Sequence, residues 1–406
     1  MSTGTLLVSA FENSRGKPAE NVSVTVSGKE GIISRSRTNA DGLLDPVLLS
    51  APPDTFSLTP PENGETASGD PFAVYDISAR NEQGEEVSIN GVQVYENTVS
   101  LQNIIFPGQN NNIDIPDPAI MGGQPEKIPE SEIKRLPDAG GTVVLPEPVV
   151  PGQIVVHAGV PSDRSAPDYT LGFQDYIKNV ASSEIYATWP REALKANIIA
   201  IISFTLNRVY TEWYRGKGYD FTITSSTAYD QAFTYGRNIF SEISDVVDEV
   251  FNLYISRPDY TQPLFAQYCD GRRVKRSGWL SQWGSKELAD RGYTAMRILQ
   301  SYYGRNIVLR QARRVEGIPV SFSGTLSVGS RGSAVRTVQQ QLNAISDNFP
   351  LIPKLAADGI FGPKTRESVR TFQKVFRLPE TGVVDFSTWY RISDVYVAVR
   401  RLAENN

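Results

Sequence analysis

Residues 180–204 read VASSEIYATWPREALKANIIAIISF, and a helix start stands in the middle of them. Pro190 follows Trp189 at the position where helices favour proline, because the first helical N–H has no partner to lose. From there Leu194, Ile198, Ile201, Ile202, Val209 and Trp213 recur at three- and four-residue spacing and predict an apolar stripe along one helix face. The run IIAIISF is far short of the ~20 apolar residues that span a bilayer, so this helix belongs in a protein core. Just ahead of the helix stands Glu184, between Ser183 and Tyr186, a carboxylate beside an aromatic ring.

The surrounding sequence is rich in rings. Four of the five tryptophans (Trp189, Trp213, Trp279 and Trp283) and 14 of the 18 tyrosines fall between Tyr169 and Tyr303, which marks residues 153–320 as one compositional unit. A second helix is predicted over SKELADRGYTAMRILQSYYG, with Leu288, Met296, Leu299 and Tyr303 on one face and a stop at Gly304. FNLYI and PLFAQYC read as strands or buried helix ends, so the unit is α+β. Further out, residues 1–106 alternate in short runs such as Val22, Val24 and Val26 between turn residues, the pattern of a small β-sandwich. Residues 107–152 hold nine of the 26 prolines and read as an extended linker and pro-segment. Its end, LPDAGGTVVLPEPVVPG, has the look of an accessible, unpaired protease site, placed near Val149 and Val150. In residues 321–406, DGIFGPKTR from Asp358 and TGVVDFSTW from Thr381 repeat at a 23-residue offset around the helical stretches VRTVQQQLN and ESVRTFQKVF.

Composition removes several chemistries. With 40% hydrophobic and 21% charged residues, the chain is neither a membrane bundle nor wholly disordered. Its one histidine, His157, and one cysteine, Cys269, cannot build a His/Cys zinc cluster or a disulfide scaffold within one chain. Acid–base work then falls to Asp, Glu, Lys or Tyr; His157 and Cys269 read as structural. Charge is split: residues 1–151 hold 9 Lys and Arg against 21 Asp and Glu (net −12), and residues 152–406 are net +7. The expectation is an acidic portion covering a basic one that suits an anionic polymer. The opening MSTGTLLVSAFENSRG lacks a basic n-region and is interrupted by Glu12, so no signal peptide is expected.

Three resemblances add to this reading. GKPAENVSVTV with TNADGLL resembles the carboxypeptidase-regulatory or transthyretin-like family, which implies a structural module. Asp358, Gly359, Phe361, Gly362, Pro363, Thr365, Phe372 and Gln373 resemble the peptidoglycan-binding domain family, a three-helix module. Here Thr381-Gly382 replaces that family's second Asp-Gly. Val180, Glu184, Trp189, Pro190, Glu192, Ala193, Leu194, Lys195 and Ala196, with Ser281, Gln282, Gly284, Gly292, Ile298, Leu299, Tyr302 and Tyr303, resemble the stage II sporulation protein D family.

That last family implies lytic transglycosylase activity on spore peptidoglycan, with Glu184 as the acid–base. Lys195, Trp189, Tyr229, Gln231, Ser281, Gln282 and Trp283 are the expected substrate-binding residues. Tyr229 and Asp230 stand where metal-bearing members carry a His-Cys pair, and the histidine before Ser281 is missing; no metal or cofactor is expected. The domain order resembles clostridial spore cortex-lytic enzymes. It implies a spore-located precursor acting on cortex peptidoglycan in germination and activated by a subtilisin-like protease, with no nucleic-acid or membrane partner. The alternative reading is a non-catalytic cortex-binding protein.

Overall fold

Alternation in the first hundred residues builds two facing sheets. The computed structural model describes residues 2–13, 15–60, 69–106, 111–122 and 145–404. The N-terminal part runs β1 (Thr3–Glu12), β2 (Ser23–Gly28), β3 (Gly31–Arg37), β4 (Val47–Ser50), a one-turn helix α1 (Thr55–Leu58), β5 (Ala73–Arg80), β6 (Glu86–Val94), β7 (Val99–Phe106) and β8 (Asn111–Asp114). One sheet has the order β3-β2-β5-β6-β8; the other places β1 between β4 and β7. Leu6, Val8 and Ala10 meet Val24, Val26, Ile77, Ala79 and Ile89 in a sealed core, because each inward residue recurs every second position. The expected sandwich is present, and Ile239–Phe240 adds one more strand beside β7, in register with Leu101 and Ser100.

The proline-rich stretch is not wholly an unpacked linker. β8 pairs in parallel with β6, and Ile115 and Ile120 beyond it are 8% and 3% exposed. Pro116 and Pro118 need no ladder partner, so the chain between them crosses the surface while its isoleucines are buried. Val149 and Val150 form β9 (Val149–Val150), buried and paired in parallel with Arg314 and Val315. The expected accessible, unpaired site is therefore not found at these two residues. Residues 136–144 of that expectation lie outside the described residues.

The middle part continues with β10 (Gln153–His157), β11 (Asp168–Gly172), α2 (Phe173–Glu184), α3 (Arg191–Tyr210), β12 (Ile223–Thr224), β13 (Ile239–Phe240), α4 (Ser241–Val250), β14 (Leu253–Ser256), β15 (Tyr268–Cys269), β16 (Leu280–Ser281), α5 (Gln282–Asp290), α6 (Ala295–Tyr303), β17 (Val308–Gln311) and β18 (Arg314–Val315). α3 is the axis. The sequence predicts one apolar face, but α3 is buried around its whole girth from Ala196 to Tyr210. Its polar residues are satisfied inside: Ser203 donates to the Ile199 carbonyl (2.6 Å) and accepts from the Ile255 N–H (2.9 Å). The single helix expected over residues 285–304 is two. α5 ends before Gly292, whose φ of +81° is open to glycine at little cost, and the Thr294 hydroxyl caps α6. Glu192 of α3 reaches that new start and accepts the Ala295 N–H (2.5 Å).

The last part holds α7 (Ser333–Ser346), α8 (Pro363–Val375) and α9 (Phe386–Glu404), and its 23-residue repeat has a physical basis. The Gln339 carboxamide donates to Asp358 Oδ1 (3.0 Å), the Ile360 carbonyl (3.1 Å) and Thr365 Oγ1 (3.1 Å), and accepts from the Gly359 N–H (2.8 Å). Gln373 does the same at Thr381 Oγ1 (3.1 Å), the Val383 carbonyl (2.9 Å), Thr388 Oγ1 (3.1 Å) and the Gly382 N–H (2.8 Å). Thr381 can replace the aspartate because the turn needs only one acceptor oxygen there.

The sandwich keeps its own core beside a second, larger one. One apolar cluster runs from Phe11, Phe72 and Tyr95 through α2–α6 to Phe361 and Trp389. Phe251 stacks on Phe386 (5.3 Å), and Asn348 donates to the Gly16 carbonyl (2.8 Å).

Candidate active site

Glu184 is the last residue of α2, just ahead of α3, and is 1% exposed. Its Oε1 accepts the Ala232 N–H (2.8 Å), and the Tyr268 hydroxyl hydrogen-bonds its carboxylate. Burial and the neighbouring Glu184 charge push the Tyr268 hydroxyl well above its ordinary pKa, so it stays protonated and donates. Gln231 Nε2 donates to Tyr268 from the other side (3.0 Å). The carboxamide is fixed in turn, because its Oε1 accepts from Tyr176 (3.0 Å) and Thr205 (2.8 Å). Tyr268 is the participant that sequence reasoning missed. Its signal was the segment PLFAQYC, which places it on a short buried strand.

The loop carrying Gln231 and Ala232 is pinned by a fully buried ion pair. Asp230 Oδ1 accepts from Arg208 Nε (2.7 Å), and Oδ2 accepts from Tyr214 (2.6 Å), the Thr224 N–H (3.0 Å) and Thr224 Oγ1 (2.7 Å). Arg208 also donates to the Tyr229 carbonyl (3.0 Å). The positions that carry a His-Cys pair in metal-bearing relatives thus do not fit a metal, since Asp230 is already saturated. Among the described residues no three His, Cys, Asp or Glu side chains are grouped to hold an ion.

The expected substrate-binding residues separate into groups. Trp189 and Trp283 pack on each other (5.0 Å), and each meets Tyr186 edge-on (5.9 and 5.8 Å), forming an aromatic trio of which Tyr186 and Trp189 follow Glu184 closely in the chain. Gln282, at the start of α5, is fully buried with both carboxamide atoms lacking a partner among the described residues. Such a group costs about 1–3 kcal/mol, which favours a ligand role. Gln231 is not placed to touch substrate; all its polar atoms are used inside. Ser281 caps α5 by accepting the Gly284 N–H (2.9 Å). Tyr229 is held by its backbone. Lys195 is not brought to Glu184: its Nζ pairs with Glu249 on α4 (2.5 Å), beside Arg191 (2.6 Å). On a helix buried this deeply, the long cation reaches outward to solvent. His157 bonds Asp168 (2.7 Å) and stacks on Phe221 (4.6 Å), far from these groups in the network.

The aromatic trio is covered by the N-terminal part. Tyr95 meets Tyr186 edge-on (5.9 Å), the Trp189 indole donates to the Ser57 carbonyl (3.0 Å), and Ser57 Oγ bonds Thr188 Oγ1 (2.8 Å). The Ala119 N–H donates to the Ser183 carbonyl (2.7 Å). The ion pair joining the two parts is Arg15–Asp175 among the described residues, with polarity opposite to that expected from the charge split. The cover is mainly apolar. A space of about 1010 Å³ is lined by Tyr169, Tyr235, Asp175 and Asp394, and Glu184 is not part of its lining.

Residues 168–252 match the family model described as stage II sporulation protein. Residues 331–392 match a putative peptidoglycan binding domain. Each of the two matches covers less than half of the chain. The zinc D-Ala-D-Ala carboxypeptidase of Streptomyces albus G is 38% identical over 72 residues, 18% of this chain. The chain spans 27% of the length of that curated relative. Among solved structures, the SleB N-terminal domain (23% identity, 19% of this chain and 99% of that one) and the Klebsiella pneumoniae 5-hydroxyisourate hydrolase (19% identity, 25% and 90%) each overlap with a TM-score of 0.17, at which neither supports an argument. Among the described residues no helix is long and apolar enough to cross a membrane.

Proposed function

We propose that the chain is the precursor of a lytic transglycosylase of spore cortex peptidoglycan, of the kind represented by the clostridial enzyme SleC. The observation that supports this is Glu184, held by Ala232 and Tyr268 at the end of α2, followed in the chain by Tyr186 and Trp189, whose cluster with Trp283 is covered by the N-terminal part. As an acid, Glu184 gives its proton to the glycosidic oxygen as the bond between muramoyl C1 and the glucosamine oxygen breaks. As a carboxylate, it takes the proton of the muramoyl C6 hydroxyl, whose oxygen closes on C1 and leaves a 1,6-anhydro end. The proton returns to its starting place and no water is consumed, so one carboxyl suffices where hydrolysis uses two. Tyr268 keeps one lone pair of the carboxylate engaged, and Trp189 and Trp283 offer faces for sugar rings.

The cover supports storage as an inactive form, with a subtilisin-like protease cutting in the 107–152 region to free the site at germination. The C-terminal domain holds the enzyme on cortex. The test is product mass from cortex digested by the protease-activated chain. Anhydro ends, one water lighter than hydrolysis products, are expected, and Glu184→Gln abolishes them; normal release by Glu184→Gln, or products that have gained water, would overturn the proposal.

A further inference from the structure

Residues 119–121 contact the end of α2 and the loop after β15. The Ala119 N–H donates to the Ser183 carbonyl (2.7 Å), in the last turn of α2, where carbonyls have no helical donor. Ile120 is 3% exposed in the shared core, and the Met121 carbonyl accepts from the Arg273 guanidinium. A turn from the Met121 N–H to the Pro118 carbonyl (2.9 Å) sets this shape, and Gln93 ties Pro116 to the sandwich (3.0 Å).

Arg273 is held as if for an anion. Asp270, 1% exposed, accepts the N–H groups of Arg272 (3.0 Å) and Val274 (2.9 Å) and so fixes the loop. Gly271 (φ +77°) permits it, since a Cβ there would stand 1.7 Å from Ser281 Oγ. Arg272 is neutralised by Glu287. Arg273, beside it, pairs with no carboxylate among the described residues and meets a backbone carbonyl of the covering segment. A guanidinium fixed next to a binding site without its countercharge is suited to a carboxylate, which it grips through two parallel N–H donors.

We propose that residues 119–121 stand in for substrate, and that once they leave, Arg273 receives the carboxylate of an acylated amino sugar while the Ser183 carbonyl receives its amide N–H. The inference rests on Glu184 marking the site. It is tested by calorimetry on the full chain carrying Glu184→Gln, opened with Ala119→Pro and Ile120→Asp. The probes are a glucosaminyl-muramic disaccharide with a free lactyl carboxylate and the same disaccharide with that group as a carboxamide. The opened chain binds the acid and the unopened chain does not. Arg273→Gln weakens the acid about tenfold, about 1.4 kcal/mol, leaves the carboxamide unchanged, and Arg273→Lys recovers part of the loss. Equal loss on both probes, no loss, or no binding by the opened chain would overturn it. Repeating the comparison on a chain cut at a protease site inserted within residues 123–144 guards against misfolding of the opened variant. No turnover enters the measurement, so a failure here is separate from a failure of Glu184 as the acid–base, which the product assay reads.

Discussion

Replacing Tyr268 by Phe removes one oxygen from the site and nothing from its packing. That oxygen bridges Gln231 Nε2 (3.0 Å) and the Glu184 carboxylate, while Gln231 keeps its bond to the Ile201 carbonyl (3.2 Å). A hydrogen bond to a charged group contributes about 1.5–3 kcal/mol. If it acts on the carboxyl that transfers the proton, kcat falls about ten- to a hundredfold. KM stays constant, because the phenol is buried behind Glu184 and touches no sugar. The assay is the initial rate of muropeptide release from cortex by the activated chain, with thermal melts of each variant. Tyr176→Phe is the control: Tyr176 also bonds Gln231 (3.0 Å) but makes no bond to Glu184, so its melt drops similarly and its kcat much less. Equal loss of kcat in both variants would refute a specific role for Tyr268, and so would an unchanged kcat in Tyr268→Phe.

Lys195→Ala leaves kcat and KM within about twofold and changes stability by less than about 1 kcal/mol, since its partner Glu249 is a partly exposed residue; steady-state kinetics and melts check both. Asp230→Asn strands the Arg208 cation at a fully buried position and destabilises the chain by about 3–5 kcal/mol in denaturant unfolding. Burial and Asp248 raise the Asp245 carboxyl from 3.8 to about 6. An acid whose folded pKa is raised favours the folded state while protonated, so this contribution is lost as pH rises from about 4 through about 6. Asp245→Asn flattens the melting temperature over that window and raises it at pH 7; an unchanged profile would contradict the assignment.

Local pattern made much of this legible. The valines at Val22, Val24 and Val26 and the repeat at Asp358 and Thr381 carry their structural reason in neighbouring residues, and both appear as expected. The aromatic wealth between Tyr169 and Tyr303 is met by ring clusters such as Tyr186, Trp189 and Trp283. Lys195 misled because spacing along a helix says nothing about which way a long cation leaves a buried axis. Gln231 misled because a motif position can serve the residue that touches substrate instead of the substrate. Tyr268 was legible only as part of a buried segment: β15 brings it to Glu184 across more than eighty positions of sequence, and the loop after β15 brings Arg273 to the Met121 carbonyl over a still longer separation. A covering N-terminal portion was expected from charge, but its contacts through Ser57, Tyr95 and Ala119 are set by packing and hydrogen bonds that no periodicity connects.

The two-residue strand β13 closes the open side of β7. A sheet edge is a template for another chain, and proteins guard theirs. If the proposed cleavage removes the N-terminal part, β7 loses that guard, and Leu101 and Ser100 offer free amides and carbonyls. The released fragment would then pair with other copies of itself more readily than it would find its way back. Under the proposed activation, the fate of the discarded piece would then oppose its return as much as the cut itself does.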